Sequence, residues 1–131
     1  ENWYTGVVGE GAWLNDEPMT VSDISKRNQA ILSTGFPVNR DYSGGALEEF
    51  VAQIQQFKKV RFFGSAAMSL TFVASGCVDA YTEDDIMLWD VAAGAALVRA
   101  AGGYVELNPS EKLTWARNVN AASSAAIWDI S

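Results

Sequence analysis

The chain has 131 residues, 49% apolar and 19% charged, a balance that fits one globular domain and not a disordered segment. It holds no apolar run long enough to imply a membrane span, and its net charge of −7 argues against a broad basic surface for nucleic acid. Histidine is absent altogether, which excludes Ser-His-Asp and Cys-His triads, histidine general bases and the usual zinc sites. Carboxylates, hydroxyls, lysine, backbone amides or a hard metal ion must then carry any chemistry.

The opening Glu1-Asn2-Trp3-Tyr4 resembles neither a signal peptide nor a translation start, so the chain reads as starting inside a longer protein. Trp3 to Val7 and Ala12 to Leu14 have strand character, with Gly9-Glu10-Gly11 as the turn between them. A second turn over Asn15-Asp16-Glu17-Pro18 precedes Met19-Thr20-Val21. No helix follows Gly6, Gly9 and Gly11, so these are turn glycines and not a dinucleotide fingerprint. The polar stretch Ser22 to Asn28 separates this β piece, residues 1–27, from an α/β body, residues 28–131. The β piece has too few strands to stand alone, and its expected role is to extend a sheet completed from elsewhere.

Ala30-Ile31-Leu32-Ser33 is a short apolar strand closed by Gly35-Phe36-Pro37. Leu47, Phe50, Val51, Ile54 and Phe57 then recur at helical spacing, opposite Glu48, Glu49, Gln53 and Gln56, as an amphipathic helix covering one side of a sheet. Val60 to Phe63 is the next strand. The basic residues Lys58, Lys59 and Arg61 make a solvated connection more readily than a phosphate cradle. Ser65 to Ser75 is a second helix, capped by Ser65 and stopped at Gly76, and its apolar, small-residue composition predicts burial on most sides. The lone Cys77 cannot form an internal disulfide, which suits a reducing cytoplasm, and is expected to pack as a small apolar residue.

Val78 to Thr82 reads as a strand and Asp90 to Ala101 as a third helix, ending at Gly102-Gly103 in a left-handed cap. Tyr104 to Leu107 and Ala125 to Trp128 are expected as late strands, with an irregular polar segment from Asn108 to Ser124 between them. Alternation of strands and helices from Ala30 onward predicts a layered α/β domain.

The stretch with most chemical content is Glu83-Asp84-Asp85-Ile86-Met87-Leu88-Trp89-Asp90, between a strand and a buried helix. Its aspartate, Asp90, falls at or near the helix N-cap, where such a residue contributes about 1 kcal/mol. It also suits a divalent cation, because hard carboxylate oxygens match magnesium. The two roles are compatible, one oxygen for each. The acidic run Glu83-Asp84-Asp85 is either a solvated loop or part of a ligand site, since sites in α/β sheets favour the edge beyond the strand ends. Gly64-Ser65-Ala66 holds the equivalent place one unit earlier; it is either a plain serine-capped turn or a receiver for a hydroxyl or anion at free backbone amides.

Gly64-Ser65-Ala66-Ala67, Leu70, Val73-Ala74-Ser75-Gly76, Asp79-Ala80-Tyr81, Glu83, Trp89-Asp90-Val91-Ala92-Ala93-Gly94, Leu97-Val98 and Ala101-Gly102-Gly103 run in an order and spacing that resembles the inositol monophosphatase family. Gly9-Glu10-Gly11-Ala12-Trp13-Leu14-Asn15, Pro18 and Val21-Ser22 resemble the family's hairpin before its second half, and Thr34-Gly35-Phe36-Pro37 its bacterial branch. The resemblance spans essentially the whole chain. It implies the layered α/β C-terminal half of that sugar-phosphatase fold, with residues 1–27 as a β-hairpin extension belonging to the family's first sheet.

The resemblance also implies roles. Asp90 corresponds to a metal-binding aspartate, Glu83 to the glutamate that hydrogen-bonds inositol or sugar hydroxyls, and Gly64, Ser65 and Ala66 to a turn contacting the same hydroxyls. Arg61 corresponds to a family arginine near that turn, with no catalytic role assigned. The implied reaction is Mg²⁺-dependent hydrolysis of an inositol or sugar phosphate monoester. The family's Asp-Pro-Ile-Asp-Gly-Thr metal motif and its upstream glutamate are absent from this sequence. Ala100 stands where many members have glutamate, and Leu88 where bacterial members often have proline. The chain alone is therefore expected to show little or no hydrolysis. Self-association, or a separate N-terminal half, is the expected protein partner; a non-catalytic binding or assembly module is the alternative. Neither nucleic acid nor membrane is expected as a partner, and a cytoplasmic location is.

Overall fold

A computed structural model describes residues 1–37 and 39–129; the last two residues of the expected α/β body, Ile130 and Ser131, lie outside the described residues. The first 19 residues form an antiparallel sheet of β1 (Tyr4–Val7), β2 (Gly11–Leu14) and β3 (Glu17–Met19). Asn15 and Asp16 sit at φ 51° and 69°, the left-handed geometry that a two-residue hairpin loop requires and that Asn and Asp tolerate. The second turn is thus shorter than its polar sequence predicts. Glu17 and Pro18 already pair, Pro18 opposite Trp13. β3 is an edge strand, so the missing proline N–H can face away from the ladder.

The body contains β4 (Ile31–Thr34), α1 (Ala46–Ile54), β5 (Lys59–Arg61), α2 (Ala66–Ala74), β6 (Ala80–Met87), α3 (Leu88–Ala100), β7 (Tyr104–Pro109) and β8 (Ala116–Ala122). The strands form one sheet in the order β5-β4-β6-β8-β7. β4 pairs parallel with β5 and β6, whereas β8 pairs antiparallel with β6 and β7.

Alternation along the strands separates two cores. Tyr81, Val119 and Ala121 face α2 and α3 and pack with Leu70, Val73, Val91 and Val98. Leu32, Ala80 and Ala122 face the other way, against Phe57, Ile127 and the partly buried Ile54 and Trp128. On its far side α3 meets the small sheet, where Ala12 joins the cluster of Leu97, Ala100 and Ala101. The result is a stack of small sheet, α2 and α3, and large sheet; α1 buries no residue and reaches the outer core only through Ile54, so it does not cover the sheet as its amphipathic spacing predicts. Gly94 sets the helix spacing, because a Cβ there would lie 2.7 Å from the Leu70 Cβ.

Two long-range clasps tie the body together. Asp79 is buried and accepts from the Ser22 hydroxyl at 2.5 Å and the Ile31 N–H at 2.8 Å. The Arg27 guanidinium lies over the rings of Phe57 and Trp128 and donates to the Ile127 carbonyl at 2.8 Å.

Several expectations need correction. The supposedly irregular segment from Asn108 to Ser124 contains β8, which lies between β6 and β7. Its asparagines hide it in sequence, yet Asn120 accepts from the Thr82 hydroxyl at 2.7 Å and donates to Glu106 at 3.3 Å. Ala125–Ile127 is a 3₁₀ turn capped by Ser124, not a strand. α2 is buried on one side only: Ser69, Leu70, Val73 and Ala74 point inward while Ala67 and Met68 are exposed. Cys77 is exposed just beyond Gly76, so it does not pack as a core residue. Gly102, at φ 92°, does close α3 as its position predicts.

Candidate functional site

The parallel strands β4 and β5 end on the same side of the sheet, and the segments leaving them form the walls of a cleft of about 650 Å³. Thr34 to Pro37 supply one wall, Gly64 to Ala67 another, and Glu83, Ile86, Trp89, Asp90 and Ala93 complete it. All five residues singled out from sequence, Glu83, Gly64, Ser65, Ala66 and Asp90, line this one cleft.

The Gly64-Ser65-Ala66 turn has a definite construction. Gly64 takes φ 74°, Ser65 is extended, and the Ser65 hydroxyl accepts from the Met68 N–H at 3.2 Å. The first intrahelical bond runs from the Ser69 N–H to the Ser65 carbonyl at 3.0 Å. The N–H groups of Ala66 and Ala67 therefore precede the helical ladder, at the positive end of the α2 dipole. Below them the buried Ser33 and Ser69 hydroxyls pair at 2.7 Å, joining β4 to α2 under the cleft.

Glu83 is half-buried on β6 and not in a loop. Its Oε1 accepts from the Tyr81 hydroxyl at 2.8 Å. Burial raises the Glu83 pKa above the ordinary carboxylate value, and Asp84 adds to that; the Tyr81 hydrogen bond and the Arg40 charge act in the opposite sense. The acidic run corrects the expectation of a strand-to-helix loop, because β6 continues through it to Met87. The strand registers shift against β8 between Glu83 and Ile86, with Asp85 at φ 60° in a bulge. Asp85 is held there by several partners. Its N–H donates to Asn118 at 3.0 Å, its carboxylate accepts from the Ser110 hydroxyl at 2.6 Å, and Arg40 lies 3.7 Å away. The bulge gives Asp85 to this network and leaves Glu83 to the cleft.

Asp90 is not the helix cap. α3 begins at Leu88 with Met87 in the cap position, so Asp90 is exposed in the first turn. The extended strand β6 runs directly into the helix, and that backbone path moves the start two residues ahead of the aspartate. An acidic residue there still complements the helix dipole. Among the described residues no group of three or more His, Cys, Asp or Glu side chains could hold a metal ion. Asp90 by itself is one ligand and not a site, so the residues present do not on their own fit a magnesium centre.

Arg61 lies exposed on the edge strand β5 and does not line the cleft. Residues not singled out from sequence also line it, chiefly Phe36, Ser69 and Trp89. Phe36 is fixed by stacking on Tyr42 at 4.8 Å and by an edge contact with Phe50 at 5.1 Å. Only the Gly-Phe-Pro turn itself was visible as a signal for that wall.

Comparison with known proteins agrees with this architecture. The sequence profile of the inositol monophosphatase family matches residues 1–129. A Nus factor SuhB from Xylella fastidiosa is 44% identical over 103 residues, covering 78% of this chain and 38% of the relative. An inositol-1-monophosphatase from Mesorhizobium japonicum is 37% identical over 103 residues, covering 78% of this chain and 39% of the relative. The solved inositol monophosphatase from Anabaena superposes with a TM-score of 0.79 at 35% identity, covering 95% of this chain and 50% of that one. The chain thus spans less than half the length of those two curated relatives and half of that solved structure. With profile, sequence and architecture in agreement, the chain belongs to the inositol monophosphatase family.

Proposed function

We propose that this chain is the substrate-recognition half of a Mg²⁺-dependent phosphatase acting on an inositol or sugar phosphate. The observation that carries the reading is the convergence of Glu83, the Gly64-Ser65-Ala66 turn and Asp90 on one cleft. Glu83 accepts hydrogen bonds from substrate hydroxyls. The Ala66 N–H and the Ser65 turn contact the same polyol from the opposite wall. Asp90 contributes one carboxylate to Mg²⁺, and the remaining ligands come from the half of the family length that this chain does not span. Bound Mg²⁺ would neutralise the phosphate and activate water. This chain's own residues bind and orient the polyol. Alone it has little or no hydrolytic activity, for want of a metal cluster. We place it in the cytoplasm, with the single cysteine unpaired.

The test is reconstitution. The chain alone should give no Mg²⁺-dependent release of phosphate from inositol 1-phosphate. Adding a polypeptide that spans the family's N-terminal half should restore it, and Asp90→Asn should lower it again, on the order of a hundredfold. Magnesium-dependent turnover by the pure chain, lost in Asp90→Asn, would overturn the reading of an inactive half.

A second reading, a non-catalytic self-assembling module, draws on the outer face of α2 and α3. Met68 is 46% exposed, and an open groove of about 530 Å³ lined by Ala67, Thr71, Ala93 and Ala96 runs between the small sheet and the two helices. Light scattering decides between them: a stable dimer or higher oligomer with no phosphatase activity after reconstitution favours the module.

A further inference from the structure

We infer that Tyr81 is the positioning residue for Glu83, its hydroxyl holding one carboxyl oxygen while the main chain at Gly35 closes from the other side. The inference rests on the reading of Glu83 as the acceptor of substrate hydroxyls, and it adds how that acceptor is preorganised.

Tyr81 and Glu83 are two residues apart on β6, so their side chains leave the same face of the strand. The Tyr81 ring is fully buried among the residues between the sheet and α2 and α3. A buried phenol needs a partner for its hydroxyl. Here the ring reaches back along the strand and donates to Glu83 Oε1 at 2.8 Å. Burial and the neighbouring Glu83 both push the Tyr81 pKa up, so the phenol keeps its proton and the direction of the bond is fixed.

The second oxygen is confined by a different means. A Cβ built on Gly35 would overlap Glu83 Oε2 and lie 2.7 Å from the carboxyl carbon. Gly35 is therefore needed for room and not for an unusual backbone angle. The carboxyl thus has a hydroxyl on one side and bare main chain on the other, and its open side is the cleft that Glu83 lines. The charges acting on it are Arg40 from the segment before α1 and Asp84 from its own strand, with Asp90 of α3 lining the same cleft. A carboxylate already held in one orientation spares the substrate the cost of ordering it. The ring and the hydroxyl of Tyr81 have separable functions: phenylalanine would fill the same core and leave Glu83 unheld.

The test is a carbon-13 NMR titration of the Glu83 carboxyl in the intact chain and in Tyr81→Phe. Removing a donor to the charged form should raise the Glu83 midpoint by about half to one pH unit. An unchanged midpoint overturns the inference. A second measurement needs no variant. The Tyr81 hydroxyl proton should exchange slowly in the unaltered protein, with a cross-peak to the Glu83 side chain; a Tyr81 hydroxyl without that cross-peak overturns the inference even if Tyr81→Phe does not fold. The underlying reading fails separately. If Glu83→Gln binds myo-inositol as well as the unaltered chain in saturation-transfer NMR, Glu83 is not the polyol acceptor, whereas the titration still decides whether Tyr81 positions it.

Discussion

Leu70 and Met68 lie two residues apart on α2, yet the first is fully buried and the second is 46% exposed. The same division runs through α3, where Val91 and Val98 are covered while Ala92, Ala93 and Ala96 are exposed. The face toward the large sheet is finished: its apolar side chains interlock, and its buried hydroxyls, Ser33 and Ser69, pair with each other. The face turned away keeps small and apolar residues in the open. Exposure also separates two residues that line the one cleft. Glu83 sits on the finished sheet side with its orientation set, whereas Asp90 stands exposed at the start of α3, beside the exposed Trp89. Of the two carboxylates that line the cleft, one is thus held by a buried partner and the other is open to solvent.

The sharpest way to break this comparison is to truncate one residue on each face. Leu70→Ala should cost about 2–5 kcal/mol in urea unfolding, the range for a buried leucine losing its transfer energy and leaving a cavity. Met68→Ala should stay within about 0.5 kcal/mol of the unaltered chain. Equal losses would mean that both faces are covered in solution, as in a self-associated form.

Asp79→Ala comes next, at about 2–3 kcal/mol, since it removes a buried carboxylate and strands both the Ser22 hydroxyl and the Ile31 N–H. Asp90→Asn should by contrast leave unfolding within about 0.5 kcal/mol, because its side chain is exposed. In the reconstituted enzyme the same change should lower turnover on the order of a hundredfold, about 2.7 kcal/mol of barrier. A residue that matters to activity and not to folding is what the unfinished face predicts.

The smallest effect concerns the protonation of Glu83. Its pKa is raised in the folded state, chiefly by burial. The folded state therefore binds the proton more tightly than the unfolded chain does. The associated stability is fully present below the ordinary carboxylate pKa and is lost as pH rises through the raised folded value. Glu83→Gln keeps an acceptor for Tyr81 and cannot ionise. Its melting temperature should exceed that of the unaltered chain near neutral pH, and the gap should close as pH falls through the Glu83 titration. A gap that persists in acid would show that the effect is packing and not charge.

Much of this arrangement is written locally. The Ser65 cap and the Gly102 stop each act over one turn and appear where the sequence predicts them, and α1 forms over most of its apolar spacing, although Phe57 falls beyond its end and Leu47 and Val51 stay exposed. The five residues that the family resemblance marks, Glu83, Gly64, Ser65, Ala66 and Asp90, come from β6, the turn before α2, and α3, and they line one cleft. The features that were not legible depend on partners distant in sequence. β8 looks like a polar loop until Asn118 and Asn120 meet Asp85, Thr82 and Glu106 across the sheet. The start of α3 is set by strand pairing up to Met87, which overrides the cap preference of Asp90. The Tyr81–Glu83 pair is hidden because the strand expected from sequence stops at Thr82, whereas β6 carries Glu83 on the same face as Tyr81.

The clasps at the two ends of the body bear on how the chain folds. Ser123 donates to the Ile24 carbonyl and Arg27 to that of Ile127, contacts spanning 99 and 100 residues. β8 enters the sheet between strands made before it. Such non-local closures slow folding, because the chain must pay for the loop before the contacts repay it. During synthesis from the N-terminus, β6 has no partner on one side until β8 emerges. Deleting the seven residues of β8 would leave both β6 and β7 without their shared neighbour and open a sheet edge in the middle of the domain.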